Sequence, residues 1–268
     1  MKLSNIEFGF DNFLAEMKKL KTEKHFDYLV TIVGEDFGPE EGLGCIYILE
    51  NTQTHERISV KQLAKQLGDE YVIPSIYHVW ASSDLLEREV YDFLGIKFLG
   101  HPDMRRLFMR NDFEGWPLRK DFDMSPEKNQ FPMTDEPESD WTSEWNLTKD
   151  GELVETKHRL FDDDDFVINF GPNHPSTHGV LRLQTVVDGE TIKHIYPHLG
   201  YIHRGMEKMM ESMTYPQTLA FTDRLNYLCA MHHRHALVSV IEEAMGVELS
   251  ERIQYIRTIM DELQRIDN

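Results

Sequence analysis

Apolar residues along the chain fall into helical and strand periods that predict two folded segments separated by an acidic stretch. In DNFLAEMKKLKTE the side chains of Phe10, Phe13, Leu14, Met17 and Leu20 recur at i, i+3 and i+4 spacings, which predicts a helix with one buried face. FDYLVTIVGEDF is β-branched and aromatic and reads as a strand. GCIYILEN and HERISVKQ flank Asn51–Thr54 and predict a hairpin, with SIYHVW as a further strand. SSDLLEREVYDFLG returns to a helical period, with Ser82, Ser83 or Asp84 as its N-cap and Gly95 as its stop. Residues 1–121 therefore read as an α/β domain.

A second segment begins at FVINF, a strand, followed by the turn GPNHPSTHG and by GVLRLQTVVDGETIKHIYP. In the latter, Leu181, Leu183, Thr185 and Val187 share one side, and Asp188-Gly189 signals a hairpin turn. Beyond Pro197 the period is helical through HRGMEKMMESM, TYPQTLAFTDRLNYLCAMHHRHALVSVIEEAMG and SERIQYIRTIMDELQRIDN. Gly246 stops the second of these, and Ser250 with Glu251 and Arg252 begins the third. The last helix is still periodic close to Asn268, which predicts a fragment of a longer polypeptide. The fold class is α+β: an N-terminal α/β domain, then a small antiparallel β element followed by long helices over 166–268.

Charge sharpens the boundary. The formal net charge is −19, and residues 122–165 hold 14 acidic against 4 basic residues. That stretch includes SPEKNQFPMTDEPESD and the run Asp162 to Asp165, lacks an apolar period, and reads as an extended acidic linker. Trp141 and Trp145 are too large to leave wet, so both are expected to dock on a neighbouring surface. An acidic chain disfavours nucleic acid, whose phosphates require clustered Lys and Arg. No run approaches the roughly 20 apolar residues of a membrane helix, and the N-terminus lacks a signal core, which predicts a soluble, intracellular-side protein. Cys45 and Cys229 sit in no CxxC pair, so no thiolate metal site is expected from this chain alone.

The densest chemistry of the first segment is EREVYDFLGIKFLGHPDMRRLFMRNDFEGWPLRKDF, residues 87–122. Arg105, Arg106, Arg110, Arg119 and Lys120 are interleaved with Asp103, Asp112, Glu114 and Asp121. It holds no phosphate loop, nucleophile–base pair or cofactor fingerprint. Guanidinium forks suit carboxylates at interfaces, so the loop is expected to dock on a partner rather than to catalyse. This stretch resembles the signature of the 30-kDa-type (C) subunit of respiratory complex I. The resemblance rests on Glu87-Arg88-Glu89, Asp92, Gly95, Gly100-His101-Pro102, Arg105-Arg106 and Pro117-Leu118-Arg119-Lys120-Asp121. One departure is Gly115-Trp116-Pro117, where that family usually has Gly-His-Pro. The resemblance implies a scaffolding domain without a redox centre.

In the second segment, GPNHPSTHG places His174 and His178 four apart around Pro175. A metal pair at that spacing would need a helix, which Pro175 opposes, and no third ligand is apparent. A histidine satisfied within the turn and one displayed at a pocket rim, poised for proton transfer, both remain open. Gly171 and Gly179 permit positive φ or close backbone approach. Arg204, Glu207, Asp223, Arg224 and Tyr227 punctuate apolar helices in PHLGYIHRGMEK and DRLNYLCAM; taken singly, each can be a helix-surface residue. His232, His233 and His235 read as a polar helix face or a contact between subunits rather than as ligands.

Together, GPNHPSTHG, HRGMEK and DRLNY resemble the 49-kDa-type (D) subunit of complex I and, more distantly, the large subunit of nickel–iron hydrogenases. Where the hydrogenases carry R-x-C-x-x-C, this chain reads Arg224-Leu225-Asn226-Tyr227-Leu228-Cys229, so nickel cannot be held in the hydrogenase manner. The resemblance implies a fused C/D subunit and the start of a hydrogenase-large-subunit-like fold. It also implies a peripheral position on the cytoplasmic face of the bacterial inner membrane, in a proton-pumping NADH:quinone oxidoreductase. His178 and Tyr227 would hydrogen-bond the two quinone carbonyls, with His174 at the same site. Arg204 would lie near the terminal [4Fe-4S] cluster of a partner subunit. No cofactor would be bound by this chain alone and quinone would be the substrate. Donors at both ends of a quinone lie on the order of 10 Å apart, so His178 and Tyr227 are expected to meet at one pocket. A subunit of a membrane-bound hydrogenase-related complex and a non-catalytic assembly scaffold are the alternatives.

Overall fold

The structure is a computed structural model describing residues 4–125, 140–174 and 179–267. The chain divides into two compact units, Met1–His203 and Arg204–Asn268.

In the first unit, two of the β-sheets share one core with two helices. Strands β1 (Ser4–Glu7), β2 (Tyr28–Asp36), β3 (Leu43–Glu50) and β4 (Arg57–Leu63) form a sheet in the order β1-β4-β3-β2. Glu50 pairs with Arg57 across the predicted hairpin turn, where the Asn51 side chain accepts from the amides of Gln53 and Thr54. Helix α1 (Phe13–Thr22) buries Phe13, Met17 and Leu20, the face its period predicts. Phe13 meets Tyr47 of β3 at 5.3 Å between ring centroids. Helix α2 (Ser83–Leu94) ends at Gly95 in the left-handed conformation, φ 72°. It lies on β2 at Gly34, where a Cβ would stand 2.7 Å from Leu94 Cδ1 and 2.8 Å from Val90 Cγ1. Only glycine permits that approach.

The other sheet departs from expectation. β5 (Lys65–Leu67), β6 (Glu70–Pro74) and β7 (Ile96–Leu99) continue into β8 (Trp141–Leu147) and β9 (Leu153–Arg159), in the order β5-β6-β7-β8-β9. Residues 141–159, expected as linker, are thus a hairpin on a sheet edge. The amide of Gly100 donates to the carbonyl of Trp145 at 2.8 Å and that of Met104 to Ser143 at 2.9 Å. Trp145 packs against the core with the Lys97 ammonium 3.6 Å from its ring centroid, whereas Trp141 remains half exposed. SIYHVW is not a strand either. β6 ends at Pro74, and the chain turns so that the amides of Val79 and Trp80 both reach the carbonyl of Ile76.

β10 (Phe166–Phe170), β13 (Arg182–Asp188) and β14 (Thr191–His198) form the predicted antiparallel element. β11 (Asn173–His174) pairs with β12 (Gly179–Val180). Asp188 pairs with Thr191, so the turn residues are Gly189 and Glu190.

The second unit holds α3 (Met206–Met210), α4 (Tyr215–Thr222), α5 (Ala230–Met245) and α6 (Glu251–Asp267). The expected long helix through TYPQ…EAMG is two helices, broken over Asp223–Cys229. Thr214 and Gln217 make a capping box at the start of α4, and Gly246 stops α5 with φ 66°. Among the described residues no helix is long and apolar enough to cross a membrane.

Candidate functional site

Both units carry polar clusters. In the first, α2 places charges where a core helix ordinarily carries none: Glu87 and Asp92 are fully buried and Arg88 nearly so. Each is matched by partners. Asp92 Oδ2 accepts the amides of Leu107, Phe108 and Met109 at 2.7–3.0 Å, and its Oδ1 accepts Arg106 Nη1 at 2.9 Å. Arg106 also donates to the carbonyls of Asp92, Phe113 and Gly115, and its guanidinium lies 4.6 Å from the Trp116 ring centroid. Arg88 donates to the carbonyls of Arg105 and Arg106. Arg105 forks onto Asp103 with two bonds of 2.7 Å. Arg105 and Arg106, expected to reach outward to a partner, are therefore spent inside the domain, folding the irregular loop 100–122 onto α2. Trp116, the departure from the family's usual histidine, packs on Tyr91 and against Gly95, where a Cβ would stand 2.5 Å from its ring.

Burial sets the protonation of this cluster. Glu87 accepts from Ser75 Oγ at 2.6 Å and from the amide of Ile76 at 2.8 Å. Burial still pushes its carboxyl up to about 7, against the opposing pull of His101, Ser75, Ile76 and Ser83. His101 is fully buried; its Nδ1 accepts the amide of Asp103 at 3.0 Å, which leaves Nε2 as the donor facing the Asp84 carbonyl at 3.3 Å. Burial alone would raise Asp103, but Arg105, Arg88 and Thr142 outweigh it and hold that carboxyl well below the usual range.

The loop has a second surface, which no sequence period announced. Gly200, at φ 92°, lies on the backbone of Phe108, where a Cβ would stand 2.1 Å from the Phe108 carbonyl oxygen. His203 stacks on Phe93 at 5.3 Å and meets Phe108 at 5.7 Å. The Arg105 guanidinium sits 5.3 Å from the Tyr196 ring centroid. The only signals in the sequence were the glycine of HLGYIH and the aromatic spacing of the loop.

Of the residues that the sequence resemblance assigns to a quinone site, His178 lies outside the described residues. His174 contributes its backbone, pairing with Gly179 between β11 and β12. Gly171 takes φ 90°, and a Cβ there would stand 2.0 Å from the carbonyl oxygen of Leu181, so the close approach expected of it is present. In the second unit Arg204 is exposed and precedes α3 rather than lying within a helix. Tyr227 opens a 3-10 turn, Tyr227–Cys229, between α4 and α5, and is 71% exposed. The Asn226 side chain accepts the amide of Leu228 at 3.2 Å and so fixes that turn. Asn226 thus shapes backbone at the position where the hydrogenase motif has a cysteine. His235 pairs with Asp261 at 2.6 Å across α5 and α6, while the Nδ1 atoms of His232 and His233 are buried without a protein partner. Among the described residues, no group of three or more His, Cys, Asp or Glu side chains is arranged to hold a metal.

Comparison with known proteins bears on both halves. The family described as respiratory-chain NADH dehydrogenase, 30 Kd subunit, matches residues 7–128. The NADH-quinone oxidoreductase C/D subunit of Phocaeicola vulgatus is 53% identical over 263 residues, covering 98% of this chain and 50% of that protein. The C/D subunit of Bacteroides fragilis is 51% identical over 263 residues, 94% of this chain and 49% of that protein. The C/D 2 subunit of Aquifex aeolicus is 36% identical over 276 residues, 98% of this chain and 46% of that protein. A solved trypsin-resistant fragment of Nqo5 is 29% identical, covering 37% of this chain and 80% of the fragment, at a TM-score of 0.34. The chain spans about half the length of the curated relatives it matches. With the 30-kDa signature folded around α2 and the match continuing through the second unit, the chain belongs to the fused C/D subunits of respiratory complex I.

Proposed function

We propose that this chain works in the peripheral arm of a proton-pumping NADH:quinone oxidoreductase, on the cytoplasmic face of the bacterial inner membrane. In this reading residues 1–121 form the C-like domain and scaffold the arm, and residues 166–268 are the D-like part that contributes to quinone reduction. Residues 122–165 join them and include the β8–β9 hairpin. The observation that carries the reading is the 53% identity to a C/D subunit, sustained over 98% of the chain.

The reaction adds two electrons and two protons to a quinone, giving the quinol. The terminal iron–sulfur cluster of a partner subunit would supply the electrons, and Arg204 would lie beside it. Each carbonyl oxygen gains negative character as electrons arrive, so donors aimed at those oxygens stabilise the product-like state more than the substrate. The Tyr227 hydroxyl donates to one carbonyl. His178 serves the other and relays its proton, with His174, four positions earlier in the sequence, at the same site. The exposure of Tyr227 on a short turn fits a group that meets its ligand in the assembled enzyme. The internal pairing of Arg88, Arg105 and Arg106 supports a scaffolding role for the first domain, since no cation of that set is left for substrate.

Affinity purification of the natural full-length protein from its own membranes, through an N-terminal tag, tests this reading. It predicts co-purification of iron–sulfur subunits and NADH-driven quinone reduction. Recovery of hydrogen-uptake activity with nickel would support the hydrogenase-type alternative, and recovery of neither activity would support the scaffold.

A further inference from the structure

We propose that Phe108, Gly200 and His203 are positioning residues for Arg204: the C-like domain clamps the segment entering Arg204 and so sets where that guanidinium acts in quinone reduction. This rests on the role given to Arg204 above.

The clamp is built from α2 outward. Asp92, fully buried, gathers the amides of residues 107–109 on one oxygen, which fixes the Phe108 backbone. Phe93, next to Asp92 on α2, stacks on the Phe108 ring with centroids 5.6 Å apart and planes 6° apart. The two rings together receive His203. Phe108 presents its carbonyl to Gly200, and the missing side chain there is what allows contact, because a Cβ would sit 2.1 Å from that oxygen and 2.7 Å from its carbon. The His203 amide donates to the Gly200 carbonyl at 2.9 Å, closing the segment into a turn held at both ends. His203 is the last residue before Arg204, so the backbone entering Arg204 is fixed by loop 105–109. A contact of this kind acts at a distance: a displacement of about 1 Å from a residue remote from the chemistry can cost on the order of 100-fold in rate.

Gly200→Ala, His203→Ala, His203→Phe and Gly189→Ala in the assembled enzyme test the clamp. Gly189 also has positive φ, 60°, but nothing lies within 4 Å of a Cβ there, so it reports backbone strain without the wedge. The proposal expects Gly200→Ala and His203→Ala to lower quinone reduction about 10-fold or more, with electron transfer from NADH to an artificial acceptor unchanged. His203→Phe, which keeps a ring for the stack, restores most of the rate, and Gly189→Ala matches the parent. Parent-like quinone reduction in both Gly200→Ala and His203→Ala overturns the proposal, as does a His203→Phe enzyme as impaired as His203→Ala. If a variant fails to assemble, hydrogen exchange on the 268-residue chain decides. Phe108→Ala must then expose the His203 amide while β2–β4 stays protected, and unchanged protection at His203 overturns the clamp. An Arg204→Ala enzyme with normal quinone reduction would instead refute the role of Arg204, leaving the exchange result to stand separately.

Discussion

At the scale of single residues, the family signature is a set of buried charges with assigned partners. The motif contains Glu87, Arg88, Asp92, Arg105 and Arg106, of which Arg105 and Arg106 were expected to face outward. A motif identifies a charge and not its direction; that is decided by which carbonyls and amides the loop brings within reach. Here Arg106 reaches Asp92 and three backbone carbonyls, and desolvation is compensated bond by bond. Glu87 is the least compensated of the set. Its carboxyl is raised to about 7 from an ordinary 4.5, so the folded state holds the proton more tightly than the unfolded chain. The resulting stabilisation is full below about pH 4.5, declines as pH rises toward 7, and is absent above it; the shift from 4.5 to about 7 corresponds to roughly 3 kcal/mol at most. Asp103 works with the opposite sign, since its lowered carboxyl stabilises the fold above the usual carboxylate range and is lost in acid. Urea unfolding of the chain between pH 5 and 8 should therefore show stability falling with pH, and Glu87→Gln should flatten that slope. An unchanged slope in Glu87→Gln would assign the pH dependence to other groups.

At the scale of elements, legibility followed periodicity. α1, α2, β2, the β3–β4 hairpin and the β13–β14 hairpin each have a local pattern and a turn or stop signal, and each was readable. SIYHVW failed because its apolar residues are core residues of a turn; Ser75 and the amide of Ile76 are held by Glu87 from a neighbouring helix. The β8–β9 hairpin was hidden by charge. WTSEWNL and LVETKHR do alternate, and Asp150-Gly151 between them is a hairpin signal, but β9 is exposed nearly throughout and so lacks an apolar face to reveal it. What anchors the pair is Trp145, on the core and under Lys97. Trp145→Ala should lower local stability of the hairpin by roughly 2 kcal/mol, less than the 3–5 kcal/mol of a fully buried aromatic. Hydrogen exchange should then speed up at the amides of Gly100 and Met104, which donate to β8, while β3 remains protected. Uniform loss of protection across both sheets would mean that the hairpin is integral to the core rather than an addition to its edge. In the second unit, the break between α4 and α5 was missed because Asp223–Cys229 keeps a helical period; Asn226, which captures the Leu228 amide, is the residue that turns it.

At the scale of the whole chain, family resemblance was legible from short motifs, because Glu-Arg-Glu, Gly-His-Pro, GPNHPSTHG and DRLNY each demand a specific local geometry. The strong acidity concentrated in 122–165 predicts a join, but the chain divides into compact units at His203/Arg204, and β8 and β9 lie within that acidic stretch. The quinone-site assignment belongs to the assembled enzyme, where Tyr227, His178 and Arg204 are proposed to act on a substrate and an electron donor that arrive from elsewhere. Tyr227→Phe tests it most directly, since the substitution keeps the ring and the 3-10 turn and removes only the hydroxyl. In the assembled enzyme the account predicts a loss of quinone reduction on the order of 100-fold, the scale of a missing oxyanion donor, with electron transfer from NADH to an artificial acceptor intact. Unchanged quinone reduction in Tyr227→Phe would contradict it.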